Sequence, residues 1–313
     1  MMQSSNKSSV KTALNEKEGF HIWWRLLRPH TLTASFVPVF VGSMFALTEQ
    51  ALDPWLFAAM MLASILIQAA TNMFNEYYDF KRGLDNEDSV GIGGSIVRDG
   101  ISPRTILNLA LAFFGIAILL GIYISAASSW WIAVIGAASM LIGYLYTGGP
   151  LPIAYTPFGE LFSGFLMGTV IISISYFIQT LQMNWSIILI SLPTAIFIGA
   201  IMMSNNIRDL DNDKENGRKT LAILLGQKNA IRFLGGMFTV AYLLTLVNIF
   251  IGVLPLWSLI TLLSVPKAID VLKKFHGKKH PLEMMPAMAA TGKTNTIYGL
   301  LLGISLLLRV FTN

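Results

Sequence analysis

Two short stretches of this 313-residue chain concentrate the groups that can do chemistry. One is NEYYDFKRGLD, Asn75 to Asp85, and the other is NNIRDLDNDKENGRKT, Asn205 to Thr220. Each holds an Asn followed one helical turn later by an Asp: Asn75 with Asp79, and Asn205 with Asp209. Asp213 repeats that spacing once more. On a helix such residues stand above one another on a single face. Asp211 falls on a different face, and Gly83, a residue that ends helices, separates Asp85 from Asp79. Carboxylate and amide oxygens are hard ligands that suit Mg2+, which binds through one or two carboxylates and bridges to substrate phosphates. There is no Cys, and His21, His30, His276 and His280 lie outside both stretches, which disfavours zinc. Lys81, Arg82, Arg208, Arg218 and Lys219 are interleaved with the acids. Acids that hold a divalent ion, beside bases that reach anionic oxygens, make a diphosphate site.

The elements that carry these stretches are apolar. The chain is 54% hydrophobic and only 12% charged, with a mean hydropathy of +0.62. That composition excludes an ordinary soluble domain. Hydropathy gives about nine spans of bilayer length, at 31–48, 54–74, 104–124, 130–146, 158–178, 186–206, 233–251, 254–272 and 294–312. Helices are the form expected, since every backbone group must be satisfied within the segment; the fold class is all-α. With nine alternating spans, every Lys and Arg except Arg309 falls on one side, and the loops at 49–53, 125–129, 179–185 and 252–254 carry none. By the positive-inside rule that side is the cytoplasm. Both acidic stretches and the N-terminus lie there, so the chain reads as a multi-pass protein of the cytoplasmic membrane. The pI near 9.3 follows from this topology and calls for no nucleic-acid partner. Residues 1–22 read as a disordered cytoplasmic tail and 23–313 as a single transmembrane domain. The stretches end spans 2 and 6, so spans 1–4 and 5–8 read as two similar halves with a ninth helix added. Repeats of this kind place sites at their interface.

The pair NEYYDFKRGLD and NNIRDLDNDKENGRKT, with RPHTL (Arg28 to Leu32) before the first span, resembles the double aspartate-rich signature of the UbiA superfamily of intramembrane aromatic prenyltransferases. The likeness spans nearly the whole chain and is closest to the branch that prenylates 1,4-dihydroxy-2-naphthoate. It implies transfer of a polyprenyl group from polyprenyl diphosphate to that ring with loss of CO2, giving demethylmenaquinol. It implies Mg2+ at Asn75, Asp79, Asp85, Asp209 and Asp213, with Asp79, Asp209 and Asp213 as the catalytic acids. Substrate contacts are expected from Asn72, Lys81, Arg82, Arg98, Asn205, Arg208 and Lys219. Arg98 lies in the glycine-rich SVGIGGSIVRDG, whose N–H groups suit phosphate. Tyr144, Tyr146 and Tyr155, at helix ends, offer aromatic faces to an allylic cation. The segment GYLYTGGPLPIAYTPFGE (Gly143 to Glu160) reads as a cap over the site. One departure stands out: Glu76 replaces the Asp that usually follows the Asn of the first motif. Alternatives remain at this point: another aromatic acceptor such as 4-hydroxybenzoate or homogentisate, an intramembrane diphosphate hydrolase, or a cation transporter. Transport sites usually sit at mid-membrane, and here the spans are nearly free of charge.

Overall fold

The computed structural model describes residues 19–83, 94–147 and 152–312. Residues 1–18 of the expected tail, Asp85, and part of the 143–160 segment lie outside the described residues. In chain order the helices are α1 (Phe20–Leu26), α2 (Pro29–Thr48), α3 (Pro54–Lys81), α4 (Pro103–Ala127), α5 (Trp131–Thr147), α6 (Gly159–Thr180), α7 (Trp185–Arg208), α8 (Leu210–Glu215), α9 (Leu221–Leu225), α10 (Gln227–Phe250), α11 (Val265–Phe275) and α12 (Pro281–Thr312). No strand occurs among the described residues.

Sequence chemistry sets several helix starts. Asp53 precedes Pro54, and its side chain accepts the N–H groups of Trp55 and Leu56 at 2.8 and 3.1 Å. Ser102 precedes Pro103 and accepts the Thr105 N–H at 3.1 Å. Asn184 accepts the Ser186 N–H at 2.9 Å. These oxygens satisfy donors that the first helical turn leaves open, and proline gives up only an N–H that had no partner there.

Seven of the helices, α2, α3, α4, α6, α7, α10 and α12, are long and apolar enough to cross a membrane. The chain is a multi-pass membrane protein. Among the described residues the count by length and composition is seven, against the nine expected. Span four corresponds to the shorter α5, and span eight divides into a 3-10 helix, Leu256–Ser264, followed by the lysine-bearing α11. The ninth helix begins at Pro281, well before residue 294. Its first turns hold Glu283 and Lys293, which lower hydropathy without interrupting the helix.

α2, α7 and α12 form the interior. α12 packs along α2 and also touches α7, so the last helix closes against the first. α4, α5 and α10 turn large apolar side chains outward, among them Leu119, Val134 and Leu243, as a lipid-facing wall requires. Trp55, Trp130, Trp131, Trp185 and Trp257 are exposed at the end where Arg309 lies apart from the other Lys and Arg, while Trp23 and Trp24 are exposed at the other. Such belts form where an amphipathic ring meets both lipid and water. α6 contains a π-helical segment, Gly164–Val170, packed on α7. A Cβ at Gly164 would stand 2.5 Å from the Ala195 carbonyl oxygen, and one at Gly168 would collide with the Ala195 backbone. The small residues of SGFLMGTV therefore serve close packing.

Gly168→Leu is expected to destabilise the bundle by about 1–3 kcal/mol or more, because the added side chain meets backbone. A lowered unfolding midpoint in detergent is the expected result; an unchanged midpoint would contradict the close approach.

Candidate functional site

α3 continues beyond its apolar run, so its last turns carry Asn72, Asn75, Glu76 and Asp79 to the charged end of the bundle. It stops at Arg82, and Gly83 takes φ +72, the left-handed conformation that terminates helices. α7 likewise runs on to Arg208. Asp209 joins α7 to α8, and α8 presents Asp213, which is buried, while Asp211 is exposed.

The two stretches meet through Arg218. One guanidinium nitrogen lies 3.2 Å from Asp79 Oδ1 and another 3.0 Å from Asp213 Oδ1. Its planar fork matches two carboxylates at once. The guanidinium also lies over the Tyr155 ring, 4.7 Å from its centroid, and Arg82 lies 5.7 Å from the same centroid. The Lys219 N–H donates to the Tyr155 carbonyl at 2.9 Å. The 152–158 segment is thereby docked on the second acidic stretch.

Burial pushes the Asp213 carboxyl up to about 7; Arg218 opposes this, and the charges of Asp209 and Asp79 add to it. Burial also works against the charge of Arg218, but Asp213 and Asp79 outweigh it and hold the guanidinium above its ordinary value. Among the described residues, no three of His, Cys, Asp and Glu converge into a metal cage on their own. The positive charge between Asp79 and Asp213 is Arg218.

Beside these acids lies a cavity of about 180 Å3. Asn75, Asn205 and Tyr146, all expected site residues, line it, and so does Arg28. Arg28 Nε, the Tyr146 hydroxyl and Asn205 Oδ1 are buried with no hydrogen-bond partner among the described residues. Buried polar atoms are nearly always satisfied, so three orphans around one cavity mark a place for a polar ligand. Deeper in, Ile67, Met167, Ile171 and Ile198 make the wall apolar.

Other expected residues are engaged elsewhere. Lys81 is exposed, as is Lys219. Tyr144 exchanges a 2.6 Å hydrogen bond with the Tyr78 hydroxyl and packs edge-on against Phe74 and Tyr78. Arg98 is buried, with its guanidinium folded over Gly94. Arg208 is buried, pairs with its neighbour Asp209 and donates to the Met288 sulfur. Glu76 is buried and accepts the Ile96 N–H at 3.1 Å. That contact ties the turn at 94–100 to α3. Asp99 in that turn pairs with Arg25 of α1 at 3.0 Å. Two participants escaped sequence reasoning as specific choices. Arg218 was one base among several, and Arg28 was legible only within RPHTL.

Fold and site together define a helical membrane protein that gathers acids, arginines and a partly apolar cavity at one end of its bundle. Residues 35–292 match the UbiA prenyltransferase family, and the chain belongs to that family. It is 55% identical over 310 residues to the 1,4-dihydroxy-2-naphthoate octaprenyltransferase of Bacillus subtilis, covering 99% of this chain and 100% of the relative. Its fold is that of a UbiA homolog from Aeropyrum pernix, with a TM-score of 0.66 at 16% identity over 89% of this chain and 97% of the other. A UbiA homolog from Archaeoglobus fulgidus bound to GPP and Mg2+ gives a TM-score of 0.62 at 17% identity over 90% and 99%.

Arg218→Gln leaves the buried Asp213 and the half-buried Asp79 without their shared cation. The expected cost is about 1–3 kcal/mol of stability in metal-free protein, below that of a fully buried pair because Arg218 and Asp79 are partly exposed, read as a lower unfolding midpoint in detergent. A midpoint equal to that of the unsubstituted protein would count against the bridge.

Proposed function

We propose that this protein transfers a polyprenyl group from its diphosphate to 1,4-dihydroxy-2-naphthoate with loss of CO2. The observation that carries the reading is the joining of the two acidic stretches above a cavity lined by Arg28, Tyr146 and Asn205. The identity to the Bacillus relative supports the choice of acceptor.

The allylic C–O bond breaks, and its electron pair leaves on diphosphate. The ring carbon bearing the carboxylate bonds to the allylic carbon. The carboxylate then departs as CO2, and the pair from its C–C bond restores the aromatic ring. Atoms and charge balance without a general base at the ring. The catalytic task is to stabilise the leaving anion, shield the cation from water and orient the ring.

The oxygen donors Asn75, Asp79, Asp209 and Asp213, with Asp85 as the further ligand expected from sequence, would hold Mg2+. Bound there, Mg2+ would neutralise charge on the leaving group. Arg218 and Arg82 face the same region and bring fixed positive charge to the diphosphate oxygens. Arg28 suits the acceptor carboxylate, and the Tyr146 hydroxyl and Asn205 Oδ1 suit its ring hydroxyls. The Tyr146 ring offers an aromatic face to the allylic cation. The prenyl chain runs along Ile67, Met167 and Ile171 toward lipid. By the positive-inside rule this end of the bundle is cytoplasmic.

Purified protein given labelled prenyl diphosphate is expected to form a prenylated naphthalene product only with dihydroxynaphthoate and Mg2+. Release of free prenol irrespective of acceptor would indicate a hydrolase instead. Asp79→Ala and Asp209→Ala should abolish turnover while membrane insertion persists; near-normal activity in both would exclude the metal roles.

The Asp213 shift has a signed consequence. Its folded value is raised, so the carboxyl holds a proton below about pH 7 that a metal ligand must lose. The Mg2+ concentration giving half-maximal rate should therefore rise as pH falls below 7, by about tenfold per unit for one displaced proton. A Mg2+ requirement that stays flat between pH 5.5 and 7, about one and a half units, would remove Asp213 from the ligand set.

A further inference from the structure

Arg28 reaches the cavity from an unfavourable backbone. It caps the start of α2 with φ 52 and ψ 66, in the left-handed region. A non-glycine residue there is strained and persists only where its surroundings over-determine it. Pro29 follows directly, and a residue before proline is normally driven to extended conformations. Something must hold this corner.

Asn72 on α3 supplies that hold. Its Nδ2 donates to the Leu27 carbonyl at 2.9 Å and to the Thr31 hydroxyl oxygen at 2.9 Å. Thr31 in turn donates to the Arg28 carbonyl at 2.9 Å. The carbonyls on both sides of Arg28 are thus tied, directly or through one hydroxyl, to a single amide. Gln68, one turn back on α3, donates to Asn72 Oδ1 at 3.1 Å and fixes which way the amide faces. Asn72 is 3% exposed and Gln68 8%. Both amide hydrogens of Asn72 are committed, which leaves no donor for a substrate.

We propose that Asn72 is a positioning residue that, braced by Gln68 and acting through Thr31, holds Arg28 in its left-handed conformation so that Arg28 binds the acceptor. The inference rests on the acceptor occupying the Arg28 cavity. α3 then presents the diphosphate side of the site from Asn75 and Asp79, and controls the acceptor side from Asn72, about one turn before Asn75.

The test combines two readouts. Asn72→Asp keeps the shape but removes both donors; Thr31→Val removes the relay, and Thr31→Ser restores it. Hydrogen exchange of the 25–32 segment in detergent should quicken in Asn72→Asp and Thr31→Val and return to the unsubstituted rate in Thr31→Ser. In steady state, the KM for dihydroxynaphthoate should rise about tenfold or more in Asn72→Asp, while the KM for prenyl diphosphate stays within about twofold. In an Arg28→Ala background Asn72→Asp should add little further to the acceptor KM, since the two act as one unit. Unchanged exchange at 25–32 overturns the inference whatever the substrate is. An equal rise in both KM values, or additive effects with Arg28→Ala, overturns it as well. If Asn72→Asp does not fold, the Thr31→Val and Thr31→Ser pair decides by the same criteria. If the unsubstituted protein makes no prenylated naphthalene, the proposed function fails, and the exchange readout still decides whether Asn72 holds the corner.

Discussion

One guanidinium joins the two halves of the site. Arg218 meets Asp79 from the first acidic stretch and Asp213 from the second, across 139 residues of chain in the former case. For that contact to exist, α3 and α7 must end at the same level of the bundle, α8 must turn back after Asp209, and the Tyr155 segment must lie over the pair. Each condition is met by a local device: Gly83 ends α3, Asp209 joins two helices, and the Tyr155 carbonyl holds the Lys219 amide. Burial makes Asp213 hard to ionise, the charges of Asp209 and Asp79 add to that, and a divalent ion therefore has a reason to enter.

α3 distributes work along one face. Successive residues are turned by about 100°, so Gln68, Asn72, Asn75, Glu76 and Asp79, three and four positions apart, share one broad arc and reach different partners at different heights. Asn75 lines the cavity, with Asp79 on the acidic basin one turn further on. Asn72 and Gln68 support the corner at Arg28. Glu76 reaches the turn at 94–100, which Asp99 ties back to α1 through Arg25. The departure at Glu76 thereby acquires a physical meaning. Its longer side chain reaches a backbone N–H outside the basin, so the position contributes support.

The membrane sets the boundary conditions. Among the described residues the buried charged side chains, Glu76, Arg98, Glu160, Arg208 and Asp213, stand toward one end, and the buried polar groups elsewhere are neutral. A reaction that begins with a lipid-soluble chain bearing a diphosphate needs this boundary: lipid for the tail, fixed charge for the head, and a dry wall between them. The tryptophan belts at the two ends and the outward leucines of α4 and α10 keep the bundle at the depth that aligns the cavity with it.

Composition and spacing were enough to read a helical membrane protein, the two Asn/Asp stripes, the oxygen chemistry they favour and the end of the bundle where they stand. These are local properties: hydropathy over a span's length, and one helical turn between an Asn and an Asp. The span count was less legible, because α5 is short and the segment at 256–275 changes from 3-10 to α-helix, neither of which hydropathy registers. Only the tertiary structure decided which base joins the acids. Lys81, Lys219 and Arg218 are equivalent as charges in a sequence, yet the first two are exposed and only Arg218 bridges both stretches. Likewise Tyr144 and Tyr146 stand two residues apart, but one is locked to Tyr78 and the other lines the cavity. Arg28 and Asn72 depend on a left-handed corner meeting a helix face 41 to 45 residues away. Which side chains meet across such distances is set by how helices pack, and a one-turn spacing carries no record of it.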